Sequence, residues 1–206
     1  MNDTVLPPGG IWLASQSPRR RQLLAQIGVR HALLLPGDDE DAEALEATQA
    51  GEPPREYVER VTRAKLAAAR ARLTARAWPA APILCADTTV ALGRRILGKP
   101  ADSTEAADTL RRLSGRSHRV MTAVAVWDGR RSHVAVSAST VRFAPLPEDV
   151  ITAYVASGEP FGKAGAYAIQ SALAGWIERI AGSYSGIMGL PLYETTQLLR
   201  RAGWRA

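Results

Sequence analysis

The chain has 206 residues, 46% of them hydrophobic and 22% charged, which is enough for one domain with a well-buried core. No apolar run approaches the roughly 20 residues that cross a bilayer, and the single cysteine, Cys85, excludes an internal disulfide framework. The 26 basic against 20 acidic residues leave a net charge of +6, which points to anionic partners. The arginines are scattered, however, without the basic stripe and interleaved aromatics of a nucleic-acid binder.

In chain order, Met1 to Gly10 carries neither a basic nor an apolar leader segment, so the cytoplasm is the expected compartment. Ile11 to Ala14 reads as a short buried strand. Ser17 in N-cap position and Pro18 behind it predict a helix to about Ile27, stopped by Gly28. A second apolar run follows from His31 to Leu35, then an acidic loop from Asp38 to about Pro54. The stretch from Arg55 to about Ala77 is the longest helix candidate, with Tyr57, Val61, Ala64 and Ala68 on one face.

Ile83 to Ala86 predicts a central strand with Asp87-Thr88-Thr89 at its end, followed by a turn at Gly93 and a second apolar segment at Ile96-Leu97. Asp102 and Glu105 form a capping-box pattern for a helix ending near Gly115. Val120 to Trp127 and Ser132 to Phe143 predict a hairpin closed at Asp128-Gly129. Helices follow at Pro147 to Ser157 and Pro191 to Ala202. Between them, Lys163 to Gln170 is rich in small residues that permit close backbone approach. Alternating strands and helices, then a hairpin, predict an α/β or α+β mixed sheet in a single domain over 1–206.

Four features can carry chemistry. The Ser15-Gln16-Ser17-Pro18-Arg19-Arg20 turn stands where a strand hands over to a helix, so free N–H groups, serine hydroxyls and two guanidiniums converge on an anion. Positive side chains in a first helical turn oppose the helix dipole, a local conflict that a bound phosphate would relieve. Asp87, directly after a buried strand segment, faces the usual crevice of an α/β sheet and could take a proton or orient a metal. Asp39 and Glu40 suit a hard divalent cation, although a solvated acidic loop is the plainer reading. Only Lys65, Lys99 and Lys163 are lysines among the 26 basic residues, which marks them as candidate point charges for phosphate. His31, His118 and His133 lack metal-ligand spacing, and no Walker, dinucleotide, nucleophile-elbow or zincin motif is present.

Together these blocks resemble one family. Ser15-Gln16-Ser17-Pro18-Arg19-Arg20, Ala86-Asp87-Thr88, Leu97-Gly98-Lys99-Pro100, Leu113-Ser114-Gly115, Lys163-Ala164-Gly165-Ala166-Tyr167 and Gly189-Leu190-Pro191-Leu192-Tyr193-Glu194-Thr195 occur in the order of the Maf nucleoside-triphosphate pyrophosphatases. The resemblance implies an α/β mixed sheet with flanking helices and a deep cleft between two lobes, similar to inosine-triphosphate pyrophosphatase. It also implies hydrolysis of a nucleoside triphosphate to monophosphate and pyrophosphate with Mg²⁺ or Mn²⁺, by a cytoplasmic homodimer. Asp87 matches the family's proton acceptor and a metal-side carboxylate, and Lys65, Lys99 and Asp39 match further cleft residues. Arg19, Thr88 and Gln170 match positions tied to substrate choice, and Ser15, Ser17, Arg20 and Lys163 fall in substrate-binding blocks.

The Lys163 to Gln170 block is similar to the branch acting on dTTP and UTP. A sister branch taking 7-methyl-GTP, and a non-catalytic nucleotide-binding regulator of septum formation, are the alternatives. The chain departs from the family pattern at Asp39, where glutamate is more usual, and at Gly162, where an aspartate commonly precedes the lysine. It also departs at Ala168 and Ser171, where glycines are typical.

Overall fold

The computed structural model describes residues 5–37, 40–41 and 43–205. Its centre is a seven-stranded mixed sheet. β1 (Ile11–Leu13) lies parallel to β2 (His31–Leu33) on one side and to β3 (Ile83–Leu92) on the other. β3 then pairs antiparallel along its whole length with β5 (Ser117–Trp127), which pairs with β6 (Ser132–Phe143), and β7 (Ile177–Ala181) closes that edge. Short β4 (Arg95–Leu97) folds back on Val90 to Leu92.

One consequence of this register positions everything that follows. β5 occupies one edge of β3 throughout, so β1 and β4 must share the other. β1 reaches only Leu84 and β4 begins only at Val90. Between them the edge of β3 is open, and Asp87 stands in the middle of the opening. The sequence expectation ended this strand at Ala86. The strand instead continues through Asp87, because its antiparallel partner supplies pairs to both sides of it. The apolar run marked only the first four residues of the strand, although Asp87, Thr89, Val90 and Ala91 are buried as well.

The helices cover both faces. α2 (Pro54–Ala75) lies on one, packing Leu66, Ala69 and Leu73 against Ile83 and Cys85, and Tyr57, Val58 and Val61 against Ala91 and Met121. α1 (Pro18–Gln26) and α6 (Leu192–Arg201) cover the other face over Leu84, Ala86 and Val124. α3 (Ser103–Leu113) and α4 (Glu148–Ala156) enclose a second cluster there around Val90, Val120 and Phe143. The side chains of β3 alternate between these layers, as a pleated strand requires.

Local chemistry explains the ends of the elements. Asp102 accepts from the Glu105 amide at 2.8 Å and caps α3, while Glu105 returns to the Ala101 amide rather than to Asp102 itself. Asp128 accepts from the amides of Arg130 and Arg131, both at 2.8 Å, and fixes the β5–β6 turn. α2 buries Tyr57 and Val61 as expected, but its buried stripe turns away from the expected alanines. Val58, Val61, Thr62, Leu66, Ala69 and Leu73 face inward, and Ala64 and Ala68 lie half-exposed. β7 and the short α5 (Tyr184–Met188) were not apparent in the sequence. No helix among the described residues is long and apolar enough to cross a membrane.

Candidate active site

The opening in the sheet is the mouth of a concave pocket of about 780 Å³. Its walls carry Ser15 to Arg20, Glu46, Lys65, Asp87 to Val90, Lys99, Gly162 to Ala164 and Tyr167 to Gln170. Blocks distant in sequence therefore meet because β1 and β4 end at one gap along the edge of β3.

Pleat alternation divides the labour of β3. Asp87 shares the α2-facing side with Ile83 and Cys85, and there it meets Lys65. The Lys65 ammonium lies 2.6 Å from Asp87 Oδ1 and 2.6 Å from Glu46 Oε1. Glu46 continues the chain through its second oxygen, 2.7 Å from Lys99 Nζ. Two carboxylates and two ammoniums thus alternate across the floor of the pocket. The Tyr57 hydroxyl donates to the Glu46 carbonyl at 2.9 Å and holds the short helical turn Ala44–Glu46 against α2.

Thr88 points to the opposite face, where it meets α1. Arg20 donates from Nε to the Gly189 carbonyl at 2.7 Å, from Nη1 to Ser15 Oγ at 3.0 Å and from Nη2 to Thr88 Oγ1 at 3.4 Å. Thr122 gives its proton to the Gly186 carbonyl at 2.7 Å, so it accepts from Thr88 at 2.9 Å. The hydroxyl of Thr88 is therefore spent on Arg20 and Thr122, and it acts here as a strut for the guanidinium. Ser15 Oγ also accepts from the Ser17 amide at 3.3 Å, while the Ser17 side chain makes no capping bond. Arg19 lines the pocket with no hydrogen bond or ion pair to any described residue.

Burial and charge compete at each titratable group. Burial raises the Asp87 pKa above the ordinary carboxylate value, with the Lys65 and Arg20 charges working against the rise. Burial opposes the charge of Lys65 too, but Asp87 and Glu46 outweigh it and hold the ammonium protonated. For Glu46, burial is overcome by Lys65 and Lys99, and its pKa falls. Arg20 is lowered by burial and keeps its charge, as guanidiniums do.

The remaining expected residues separate into three groups. Gln170 stands exposed at the pocket rim, and its amide has no partner among the described residues. Lys163 turns back onto its own loop, donating to the Glu159 carbonyl with the Glu159 carboxylate 3.5 Å away. Glu40, expected at a metal, has both oxygens engaged by Arg72, at 2.7 and 2.6 Å, and the Gly37 amide adds a third bond. Asp39 lies outside the described residues. Glu46 was not singled out in the sequence. It sits alone in an alanine-rich stretch with no periodic or motif signal, beside a run of acids that drew the metal assignment to itself.

An α/β sheet opened at one edge, with two carboxylates bridged by an ammonium and six cationic side chains lining the pocket, defines a site for a polyanion. The chain belongs to the Maf family: the family model described as Maf-like protein matches residues 10–202. Among its relatives, a protein from Polaromonas sp. named dTTP/UTP pyrophosphatase is 62% identical over 94% of this chain and 96% of its own length. Proteins of the same name from Burkholderia pseudomallei and Ralstonia nicotianae are 61% and 58% identical, covering 93% and 98% of this chain and the same shares of their own.

Proposed function

We propose that this protein hydrolyses dTTP and UTP to the nucleoside monophosphate and pyrophosphate. The observation that carries the proposal is the Asp87–Lys65–Glu46–Lys99 array facing the Arg19–Arg20 turn across the open edge of β3. The dTTP/UTP pyrophosphatase relatives, near full length and about 60% identical, support it from outside the structure.

The chemistry follows from the charges. Attack of water on the α-phosphorus requires a proton acceptor and a rigid set of cations for charge that grows on the leaving pyrophosphate. Asp87 is the acceptor: burial raises its proton affinity, and Lys65 keeps it ionised and oriented. Arg20, locked by Gly189, Ser15 and Thr88, supplies a fixed guanidinium, Lys99 adds an ammonium oriented by Glu46, and Arg19 adds a second guanidinium on the pocket wall. The exposed Gln170 amide can accept from N3–H and donate to O4 of uracil or thymine.

A Mg²⁺ or Mn²⁺ ion belongs to the same reading, and the donor set fits it. Asp87 and Glu46 are bridged by a single ammonium, so one small cation could reach both, and Mg²⁺ typically takes one or two carboxylates with phosphate and water completing its shell. When bound, such an ion supplies charge neutralisation at phosphate oxygens. A cytoplasmic homodimer completes the reading on family resemblance.

The test is pyrophosphate release from a panel of standard and modified triphosphates with either metal. Turnover of UTP and dTTP, abolished in Asp87→Asn with the circular dichroism spectrum unchanged, is the expected result. Full activity in that variant would overturn the role of Asp87.

A further inference from the structure

The loop that carries Gln170 is tied to α4 by a closed ring of hydrogen bonds that the chemistry at Asp87 does not use. Tyr154, buried in α4, donates from its hydroxyl to Ser171 Oγ at 2.9 Å. Ser171 Oγ donates onward to the Ala168 carbonyl at 2.7 Å, and the Ala168 amide approaches the Tyr154 oxygen at 3.4 Å. The Ser171 amide also donates to the Ala168 carbonyl, at 3.1 Å, closing a four-residue turn with Gln170 at its third position. Ile169, 3% exposed, pins the turn to the core, and Gln170 is its only exposed residue. Ser171 sits at φ −83°, so its hydroxyl, not an unusual backbone, holds the shape.

We propose that Tyr154 and Ser171 are positioning residues that set base selectivity by fixing the turn from which Gln170 reads the nucleobase. The inference rests on the base-reading role of Gln170. A turn anchored at both ends presents a planar amide in one orientation, whereas a loosened turn must be ordered again at each binding event. Loss of the hydroxyl ring therefore acts on base binding, since none of its hydrogen bonds involves Asp87, Lys65, Glu46 or Lys99.

Steady-state kinetics with UTP, dTTP, CTP and GTP test this on Ser171→Ala, Tyr154→Phe, Ser171→Thr and Gln170→Ala, with melting curves confirming that each variant folds. In Ser171→Ala and Tyr154→Phe, KM for UTP and dTTP should rise about tenfold, the worth of ordering one flexible segment, while kcat stays within about twofold. The preference for UTP over the best competing base should shrink in both. Ser171→Thr, which keeps the hydroxyl, should restore it, and combining Ser171→Ala with Gln170→Ala should add little to Gln170→Ala alone. If Gln170→Ala narrows the base preference but Ser171→Ala and Tyr154→Phe do not, the positioning role is overturned and the base-reading role stands. Loss of kcat for all four nucleotides alike would show a merely structural role. If Gln170→Ala leaves the preference untouched, it is the base-reading role that fails.

Discussion

The Lys65 ammonium touches two carboxylates at 2.6 Å, and neither contact is between sequence neighbours: Glu46 lies 19 positions before it and Asp87 22 after. Both carboxylates, Asp87 most, offset the hydration this ammonium has lost and favour its charged form. Glu46→Gln should leave Lys99 and Lys65 competing for an amide and lower kcat by about 100-fold or more, the scale of losing one preorganised charge at a transition state. Its melting temperature should stay close to that of the unsubstituted chain, since Glu46 contributes little to the core. Steady-state assays beside thermal melts check both halves.

Glu40→Gln should do the reverse. Arg72 holds the Glu40 carboxyl near pKa about 2, down from 4.5, so the ionised pair stabilises the fold above pH about 4.5 and loses that contribution as pH falls toward about 2. The variant should keep its turnover but melt lower at pH 7, with the gap closing across that acid window. A loss of metal-dependent turnover in Glu40→Gln would instead return Glu40 to the metal. Asp87 was legible in the sequence because an acid directly after a buried apolar segment faces the usual crevice of an α/β sheet. Glu46 was not, because only the tertiary path of the acidic loop brings it to Lys65.

At the scale of elements, small residues matter where segments touch. Gly165 has φ +71°, its amide donates to the Gly98 carbonyl at 3.0 Å, and a Cβ there would lie 2.8 Å from Val90 Cγ1. That contact seats the Lys163–Tyr167 segment on β3 beside the turn that carries Lys99. Gly165→Ala combines a left-handed backbone with overpacking against a buried strand, so a loss of about 2 to 4 kcal/mol is expected by denaturant unfolding. The small-residue run announced close approach in the sequence, though not its partner. The face of α2 was right at Tyr57 and Val61 and displaced at Ala64 and Ala68 for a related reason. Alanines at helical spacing tolerate either environment, and the helix was placed by Val58, Leu66 and Leu73, which find the sheet. β7 escaped notice because all but its first residue is exposed, so it lacks the apolar signature that marked β1 and β3.

For the molecule as a whole, the important property is that one sheet holds two neighbours of β3 apart. β1 brings the Ser15–Arg20 turn to one side of the gap, and β4 brings Lys99 to the other. Besides β3 itself, β5 and α2 span the gap and side-chain contacts such as those of Arg20 tie its two sides, while a net charge of +6 disfavours crowding the cations that line the pocket. A triphosphate bound across the gap reverses that term by neutralising the cations on both sides at once. Asp87→Asn should bind without turning over, which isolates the effect. At a UTP concentration about 100 times Kd, ligand linkage contributes about 2.7 kcal/mol, or roughly 5 to 10 °C of melting temperature for a chain of this size. Pyrophosphate alone can bridge the cations without engaging Gln170, so it should give a smaller shift, and uridine, which has no phosphate, almost none. Differential scanning fluorimetry of Asp87→Asn with the three ligands measures this directly. Equal shifts from uridine and UTP would mean that phosphate does not join the two sides of the gap.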